Sequence, residues 1–214
     1  MSSPIQYWSV PRMWPGKTVV IIGGGPSLKD FNRDRLRDLK AELGLRIIGT
    51  NDAYEWGPWV DICYYGDHGW LVTHAKNGTI REFSGPVVTN CVYTTIPDWV
   101  LRLKRIPKGL SKSPWMCAWN SNTGISAINL ACHTGATKIV LIGFDMRLVD
   151  GKAQWHEDKR GFPPNETVYP RFLAGADLLS KMMPKLFPGV EIINATLNSA
   201  MRTFPIMSLK EALR

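Results

Sequence analysis

Residues 17–28 read KTVVIIGGGPSL, a β-branched apolar run that ends in three glycines and is followed by Ser27. Such a run indicates a buried parallel strand that enters a tight turn. Ser27 is a suitable cap for the next segment, 30–43, where Phe31 and three leucines recur at helical spacing until Gly44 ends the helix. The chain therefore begins its fold with a strand, a glycine-rich turn and a helix.

The same alternation continues along the chain. Further strands are predicted in LRIIGTN (45–51), VDICYYGD (60–67), PVVTN (86–90), KIVLIGFD (138–145) and VEIINA (190–195). Helices are predicted in NTGISAINLACHTG (122–135) and YPRFLAGADLLSKMMPKLF (169–187). Strands that alternate with helices predict an α/β, Rossmann-like fold, with a mostly parallel sheet and helices on both faces. A length of 214 residues suits one domain over residues 1–214.

Two stretches match neither pattern, residues 99–121 and residues 146–170. The second is rich in charge, glycine and proline and is predicted to be a loop or lid insertion. The first contains the densest basic run, 101–112, followed by Trp115 and Trp119. This combination can hold phosphates and stack bases or sugars, or it can be a solvated loop with its aromatic rings turned to the core.

Composition narrows the classes of partner and location. The formal charge of +8 favours a polyanionic partner, which can be a nucleotide, a nucleic acid or an acidic glycan. The four cysteines are far apart and lie mostly in apolar runs, which predicts reduced core residues in a cytoplasmic protein. No run approaches the roughly 18–20 apolar residues of a membrane span, and the N-terminal residues lack the apolar segment of a secretion signal.

Polar residues and glycines end the predicted strands, and parallel strands place these ends at one edge of the sheet, where α/β folds bind ligands. The site is expected there, near Gly23, Asn51, Asp67, Asn90, Asp145 and Asn194. The turn of Gly23, Gly24 and Gly25 can bring backbone N–H groups to a phosphate, or it can be only a tight connection. It lacks the lysine of a P-loop and the spacing of a dinucleotide fingerprint.

Two further turns offer ligand contacts. Asn51 and Asp52 follow the second strand and can bond a ribose or a base edge, or cap a helix. Asn122, Thr123 and Gly124 begin another helix and form a second possible phosphate or sugar cradle, or a simple cap.

The segment 143–161, GFDMRLVDGKAQWHEDKRG, carries the most chemistry. His156 is a candidate general base opposite the strand-end carboxylate of Asp145, or else an exposed loop histidine. No metal ligand is predicted, because the other histidines do not cluster with His156 in the sequence. His133 is predicted to be structural, and His68 to face the cleft.

The last predicted strand is followed by ATLNSAMRTFP (195–205). Arg202 in this segment is available for a phosphate or a carboxylate, and with Asn194, Asn198 and Ser199 it can close over the cleft. The segment can equally be a terminal lid.

In this order, GGGPSL, GTND, NTGISA and LIGFD resemble a family that includes a group of bacterial sialyltransferases and the 6-hydroxymethylpterin pyrophosphokinase-like proteins. Many uncharacterised phage proteins look similar too. The sialyltransferase resemblance implies that Gly24, Gly25 and Ser27 lie against a donor nucleotide and that His156 is the base. Those enzymes place tyrosines soon after the strand-end aspartate to hold the leaving phosphate. Here Met146 and Arg147 stand there, and the resemblance leaves that role to Arg147, Lys159 or Arg160.

Three functions follow as hypotheses. The first is a metal-independent transferase, a glycosyltransferase with a nucleotide-activated sugar donor, no tightly bound cofactor, and a glycan or DNA as acceptor. The second is an ATP-dependent pyrophosphokinase, with Mg²⁺ held by carboxylates such as Asp67 and Asp145. The third is a non-catalytic nucleotide- or DNA-binding module of the kind that a phage could encode. The sequence leaves the oligomeric state open.

Overall fold

A computed structural model describes residues 5–77, 79–93, 95–156 and 163–214. Its strands are β1 Thr18–Ile22, β2 Arg46–Thr50, β3 Ile62–Tyr65, β4 Val87–Thr89, β5 Leu101–Arg102, β6 Lys104–Ile106, β7 Met116–Ala118, β8 Lys138–Ile142 and β9 Glu191–Asn194. Its α-helices are α1 Arg33–Leu43, α2 His68–Asn77, α3 Thr123–Thr134, α4 Tyr169–Leu186 and α5 Leu209–Ala212. Short 3-10 helices cover Pro26–Leu28, Asn51–Trp56, Thr79–Glu82 and Glu166–Val168.

Seven of these strands form one parallel sheet in the order β5-β4-β3-β2-β1-β8-β9. β1 is an inner strand, with Val20 opposite Ile47 of β2 on one side and opposite Val140 of β8 on the other. From β1 the chain first builds outward through β2, β3, β4 and β5, and it returns to the other side of β1 only with β8. The strand order therefore reverses between β1 and β8, which is where open α/β sheets form their ligand cleft.

Helices cover both faces of the sheet, because successive side chains of a buried strand point to opposite faces. Val19 and Ile21 of β1 pack in a core with α3 and α4. Val20 and Ile22 pack in a second core that includes residues of α1 and α5. The expected α/β fold, with one parallel-sheet domain and helices on both faces, is confirmed.

Two parts of the fold differ from the sequence prediction. Residues 99–121 contain the short strands β5, β6 and β7, of which β6 and β7 pair with each other. These strands have two or three residues each, too few to show a period of two in the sequence. Helix α2 was not predicted, because Trp70 and Leu71 are its principal buried apolar residues and its other positions are largely polar.

The four cysteines are buried free thiols, as the sequence predicted. Burial raises the pKa of Cys132 to about 12 and raises the pKa of Cys63 and of Cys117 as well. Within the described part of the chain, no helix has both the length and the apolarity needed to cross a membrane.

Candidate functional site

A cleft of about 1180 Å³ opens at the carboxyl ends of β1 and β8. Its walls come from the glycine turn after β1, the end of β2, the start of α3, the residues that follow β8, and the start of α4. Of the residues predicted for the site, ten line it: Gly23, Gly24, Gly25, Asn51, Asp67, Asn122, Thr123, Gly124, Asp145 and His156. The structure thus brings together residues from most of the predicted strand ends.

The glycine turn is packed tightly on one side and open to the cleft on the other. The N–H of Gly25 donates to the carbonyl of Gly143 over 2.8 Å, and a Cβ on Gly25 would lie 1.9 Å from Asp145 Oδ2. A Cβ on Gly23 would lie 2.6 Å from the same carbonyl. A Cβ on Gly24 would meet no described atom within 4 Å. Gly23 and Gly25 are therefore needed for packing, and Gly24 leaves backbone accessible to a ligand.

Asp145 joins the turn after β1 to the end of β8. Its carboxylate accepts hydrogen bonds from the Ser27 hydroxyl at 2.8 Å and from the Ser27 N–H at 3.3 Å. Burial raises the pKa of Asp145, and the two bonds from Ser27 oppose that effect. Ser27, expected against the donor, does not line the cleft, because its side chain is turned to Asp145. The pair holds the cleft floor together.

Asn51 presents an unsatisfied acceptor at the cleft. Its Oδ1 is buried and has no hydrogen-bond partner among the described residues, although the residue lines the cleft. Buried polar atoms without a partner are rare in native proteins, since each costs about 1–3 kcal/mol. Because the atom is shielded from solvent, Asn51 must turn for a ligand N–H or O–H to reach it.

The first turn of α3 faces the cleft. Asn122 caps the helix by accepting from the Ile125 N–H at 2.9 Å, so capping is confirmed as one of its roles. Thr123 and Gly124 line the cleft, and a Cβ on Gly124 would lie 2.8 Å from the Phe144 ring. The positive end of the helix dipole is thereby directed toward the cleft, where it favours an anion.

Backbone strain concentrates around the cleft. Asn51 has φ 51°, Ser121 has φ 59° and Met146 has φ 53°, and all three line it. Left-handed backbone at non-glycine residues costs about 1–3 kcal/mol each and occurs preferentially at functional sites. Met146 is the least tolerant of the three by residue type, since Asn is several-fold enriched in this region.

His156 lies beside the glycine turn and contacts a different carboxylate from the one expected. The N–H of its neighbour Trp155 donates to the Gly24 carbonyl over 3.0 Å, which fixes the segment next to the turn. The Nδ1 atom of His156 is 3.4 Å from Asp52 Oδ2. Asp145 was predicted to face His156, but among the described carboxylates it is Asp52 that contacts the imidazole.

Asp52 does not reach the ribose position that the sequence suggested. It is only 3% exposed and does not line the cleft, because the 3-10 helix turns Asn51 to the cleft and Asp52 to Trp70 of α2. Burial acts to raise the pKa of Asp52, but contacts with His74, His156 and Trp70 outweigh it and hold the pKa well below its usual range. Asp52 is therefore a buried, ionised carboxylate.

The charge of the cleft is mainly positive. Its described cations are Lys29, Arg147, Lys152 and Arg171, and its described carboxylates are Asp67 and Asp145. Arg147 uses its Nε to donate to the Asn198 carbonyl at 2.9 Å, which leaves its terminal nitrogens for other partners. Lys159 and Arg160, the other expected phosphate ligands, lie outside the described residues.

The segment after β9 supports the cleft from outside it. Ser199 donates to the Phe144 carbonyl at 2.5 Å, and the Ala200 N–H donates to the Asp145 carbonyl at 2.8 Å. Asn194 and Ser199 are buried and Arg202 is exposed, and none of the three lines the cleft. Arg202, predicted to contact a ligand, lies outside the cleft lining, because this segment braces the end of β8.

Several cleft residues were not assigned to the site from the sequence, among them Met146, Tyr169 and Phe172. Tyr169 begins α4, and burial, with Asp145 and Glu166 nearby, raises its pKa. The sequence held one signal, because the resemblance called for a tyrosine and Tyr169 is the first one after β8. Trp119, one of the two rings that the sequence offered for stacking, lines the cleft too, with the Arg105 guanidinium 4.2 Å from its ring centre.

Two other histidines have clear positions. His68 was predicted to face the cleft, but it does not line it. Its ring stacks on Tyr93, with the ring centres 4.5 Å apart. His133 is structural, as predicted: it is buried in α3 with Nε2 2.9 Å from the Met116 carbonyl.

No protein-family model matches the chain, and no curated protein sequence matches it either. Two solved structures do. The sialyltransferase CstII from Campylobacter jejuni, in complex with the substrate analogue cytidine-5'-monophosphate, matches with a TM-score of 0.53 and 14% identity over 91% of this chain and 86% of that one. A variant of the sialyltransferase CST-II in complex with CMP matches with a TM-score of 0.50 and 14% identity over 88% and 85%. The sialyltransferase-like fold expected from the sequence motifs is thus confirmed.

Proposed function

We propose that the protein is a glycosyltransferase that takes a sugar from a nucleotide donor and needs no metal ion for the transfer. The observation that carries the proposal is that a site for an anion and a candidate base lie in one cleft. The N-terminus of α3, which favours an anion, and the imidazole of His156 line the same cleft, and the Trp155 N–H holds the His156 segment beside the glycine turn by its bond to Gly24. The fold shared with CMP-bound sialyltransferases supports the same assignment.

In this proposal the donor nucleotide lies between the glycine turn and the first turn of α3. Asn51 Oδ1 accepts a hydrogen bond from its sugar or base. The leaving phosphate lies near the N-terminus of α3, with Arg147 and Tyr169 as its side-chain partners. These groups compensate the charge that develops on the phosphate, which is the part a metal ion plays in other transferases.

His156 is the proposed base. It removes the proton from an acceptor hydroxyl as that oxygen bonds to the anomeric carbon of the donor sugar, while the bond from that carbon to the phosphate oxygen breaks. The proton remains on the imidazole and the electron pair leaves with the nucleotide. The acceptor enters from the side of the cleft lined by Trp119 and Phe172, whose rings suit the apolar face of a sugar.

A thermal-shift panel tests the donor site. CMP is the first nucleotide, with UMP, UDP, GDP and ATP beside it, each with and without Mg²⁺. A ligand at 100 times its dissociation constant adds about 2.7 kcal/mol of stability. The binding variant is Gly24→Val, whose side chain extends into open cleft, and the matched control is Gly24→Ala. We expect metal-independent stabilisation by a pyrimidine nucleotide that is lost in the valine variant.

Other outcomes select the other two hypotheses. A shift that requires both ATP and Mg²⁺ would favour the pyrophosphokinase, with Asp67 as the cleft carboxylate for the metal, since Asp145 is engaged by Ser27. No shift with any nucleotide would contradict the donor site and favour the DNA-binding module. The feature that best supports a DNA-binding module is the Arg105 guanidinium over the ring of Trp119 at the cleft wall.

A further inference from the structure

We infer that Asp52 is the positioning residue that fixes the orientation and the tautomer of His156, and that Trp70 and His74 hold Asp52 in place for this task. The inference rests on the proposed function only in calling His156 the base. The contacts themselves are properties of the chain without substrate.

The two carboxylate oxygens of Asp52 have separate partners. Oδ1 accepts from the indole N–H of Trp70 at 2.5 Å and lies 3.1 Å from Nε2 of His74. Oδ2 lies 3.4 Å from Nδ1 of His156. Because α2 engages Oδ1, the carboxylate is held in one rotation about its Cβ–Cγ bond. That rotation presents Oδ2 to the imidazole at the cleft.

The anchor on α2 is itself rigid. His74 is 2% exposed, its ring stacks on Trp70 with centres 4.3 Å apart, and its Nδ1 is 2.8 Å from the Trp70 carbonyl. A carbonyl oxygen only accepts, so Nδ1 of His74 carries a proton, and Nε2, which is directed at Asp52, holds that carboxylate only when it is protonated as well. The ring of Tyr54 meets the His74 ring edge-on at 5.9 Å and closes that side.

The consequence for His156 is a choice of tautomer. A carboxylate beside Nδ1 favours the proton on that nitrogen, which leaves the lone pair on Nε2. An imidazole in this form can accept a proton from a substrate hydroxyl without first turning over, the arrangement that an aspartate imposes on a catalytic histidine in serine proteases. His156 is at the cleft and Asp52 is not, so Asp52 acts through the imidazole.

Among the described residues, Asp52 is also faced by Glu55 of the same 3-10 helix and by the buried thiol of Cys63. The ligand atoms of Asp52, Glu55 and His74 lie within 4.8 Å of one another, a spacing that also admits a divalent cation. We favour direct contact with His156, because Trp70 already donates to Oδ1 and Glu55 is exposed. The test below separates the two arrangements.

The experiment is ¹H–¹⁵N correlation NMR of the full chain labelled at histidine, recorded without substrate before and after EDTA. We expect His156 in one tautomer, with its proton on Nδ1, and no change with EDTA. Asp52→Asn, which keeps the side-chain shape, should produce a mixture of tautomers at His156. Trp70→Phe, which keeps an aromatic ring but removes the donor to Oδ1, should produce a smaller change in the same direction.

Two controls accompany the variants. The His133 signal should stay constant throughout, since its partners are Met116 and Asn129. Asp61→Asn removes another largely buried carboxylate, one that pairs with Lys40 and no histidine, and should leave His156 unchanged. The inference is overturned if His156 carries its proton on Nε2, if Asp52→Asn leaves the tautomer as it was, or if EDTA changes the signal. Should Asp52→Asn not fold, Trp70→Phe decides.

Turnover gives the second measurement once a donor is known. Loss of base positioning in Asp52→Asn should lower kcat about 100-fold with little change in KM for the donor, and should move the pH profile of kcat. A purely structural role would lower the melting temperature without moving that profile. Because NMR needs no donor, absence of turnover with every donor would refute the proposed function and leave the assignment of Asp52 intact.

Discussion

Gly25→Ala is the sharpest test of how the cleft floor is built. The added Cβ would lie 1.9 Å from Asp145 Oδ2 and 2.6 Å from the Gly143 carbonyl oxygen, far inside normal contact distance. The Asp145 carboxylate must move, and it then loses its two hydrogen bonds from Ser27. The carbonyl cannot move aside without displacing the turn after β8.

The cost can be worked from these contacts. Hydrogen bonds to a charged group contribute about 1.5–3 kcal/mol each, and a strained turn adds to that loss. Replacing glycine by alanine restricts the unfolded chain and returns about 0.4–1 kcal/mol. We expect a net loss of about 2–6 kcal/mol, and a chain of this size changes its melting temperature by about 2–4 °C per kcal/mol. The melting temperature should therefore fall by about 4–24 °C.

Circular dichroism melts of Gly25→Ala and of the control Gly24→Ala measure the effect. The control should change stability by less than about 1 kcal/mol, because its Cβ meets open space. In an Asp145→Ala background the Gly25→Ala penalty should be roughly halved, since only the carbonyl contact remains. Equal melting temperatures for the two glycine variants, or an undiminished penalty in that background, would refute this account of the turn.

Three further predictions follow from the same contacts. Arg147→Ala should weaken CMP binding about 10-fold or more, the loss expected for one charge-assisted bond to phosphate. Isothermal titration calorimetry measures the affinity, and an unchanged value would show that Arg147 does not contact the phosphate. Because the pKa of Asp52 is lowered in the folded chain, its stabilisation is complete above the unfolded value of about 3.9 and is lost as pH falls below it. Urea melts should therefore show a larger loss for Asp52→Asn at pH 7 than at pH 3, and the reverse order would contradict an ionised Asp52. Ellman's reagent at pH 8 should modify Cys63, Cys117 and Cys132 only slowly until the chain unfolds, since burial raises the pKa of each thiol; rapid modification of the native chain would show that these thiols are accessible.

The sheet could be predicted because its strands carry strong local signals. KTVVIIGGG and KIVLIGFD are each long enough to show a buried strand and its stop, and both became central strands beside each other. Helix α2 and the strands β5, β6 and β7 could not be predicted from the sequence. Their segments are short, and the sheet and helices around them determine their structure. Local pattern predicts an element only where the sequence itself supplies most of the signal.

The location of the site could be predicted from the sequence, but the contacts of its individual residues could be predicted only in part. The carboxyl edge follows from parallel topology, and Gly24, Asn51 and His156 were therefore found. The partner of His156 was not, because Asp52 and Asp145 both follow strands and only the turn of the 3-10 helix decides which one meets the imidazole. Arg202 illustrates the same limit, since nothing local distinguishes a brace behind β8 from a lid over the cleft.

The position of β1 between β2 and β8 has a consequence for synthesis of the chain. As the polypeptide leaves the ribosome, β2 can cover one edge of β1 early, but β8, which covers the other edge, is not complete until Ile142 has emerged. Until then this strongly apolar strand carries a row of unpaired N–H and C=O groups. A nascent chain arrested before β8 would therefore offer that edge to other chains, and this interval is the stage at which aggregation and chaperone binding should be greatest.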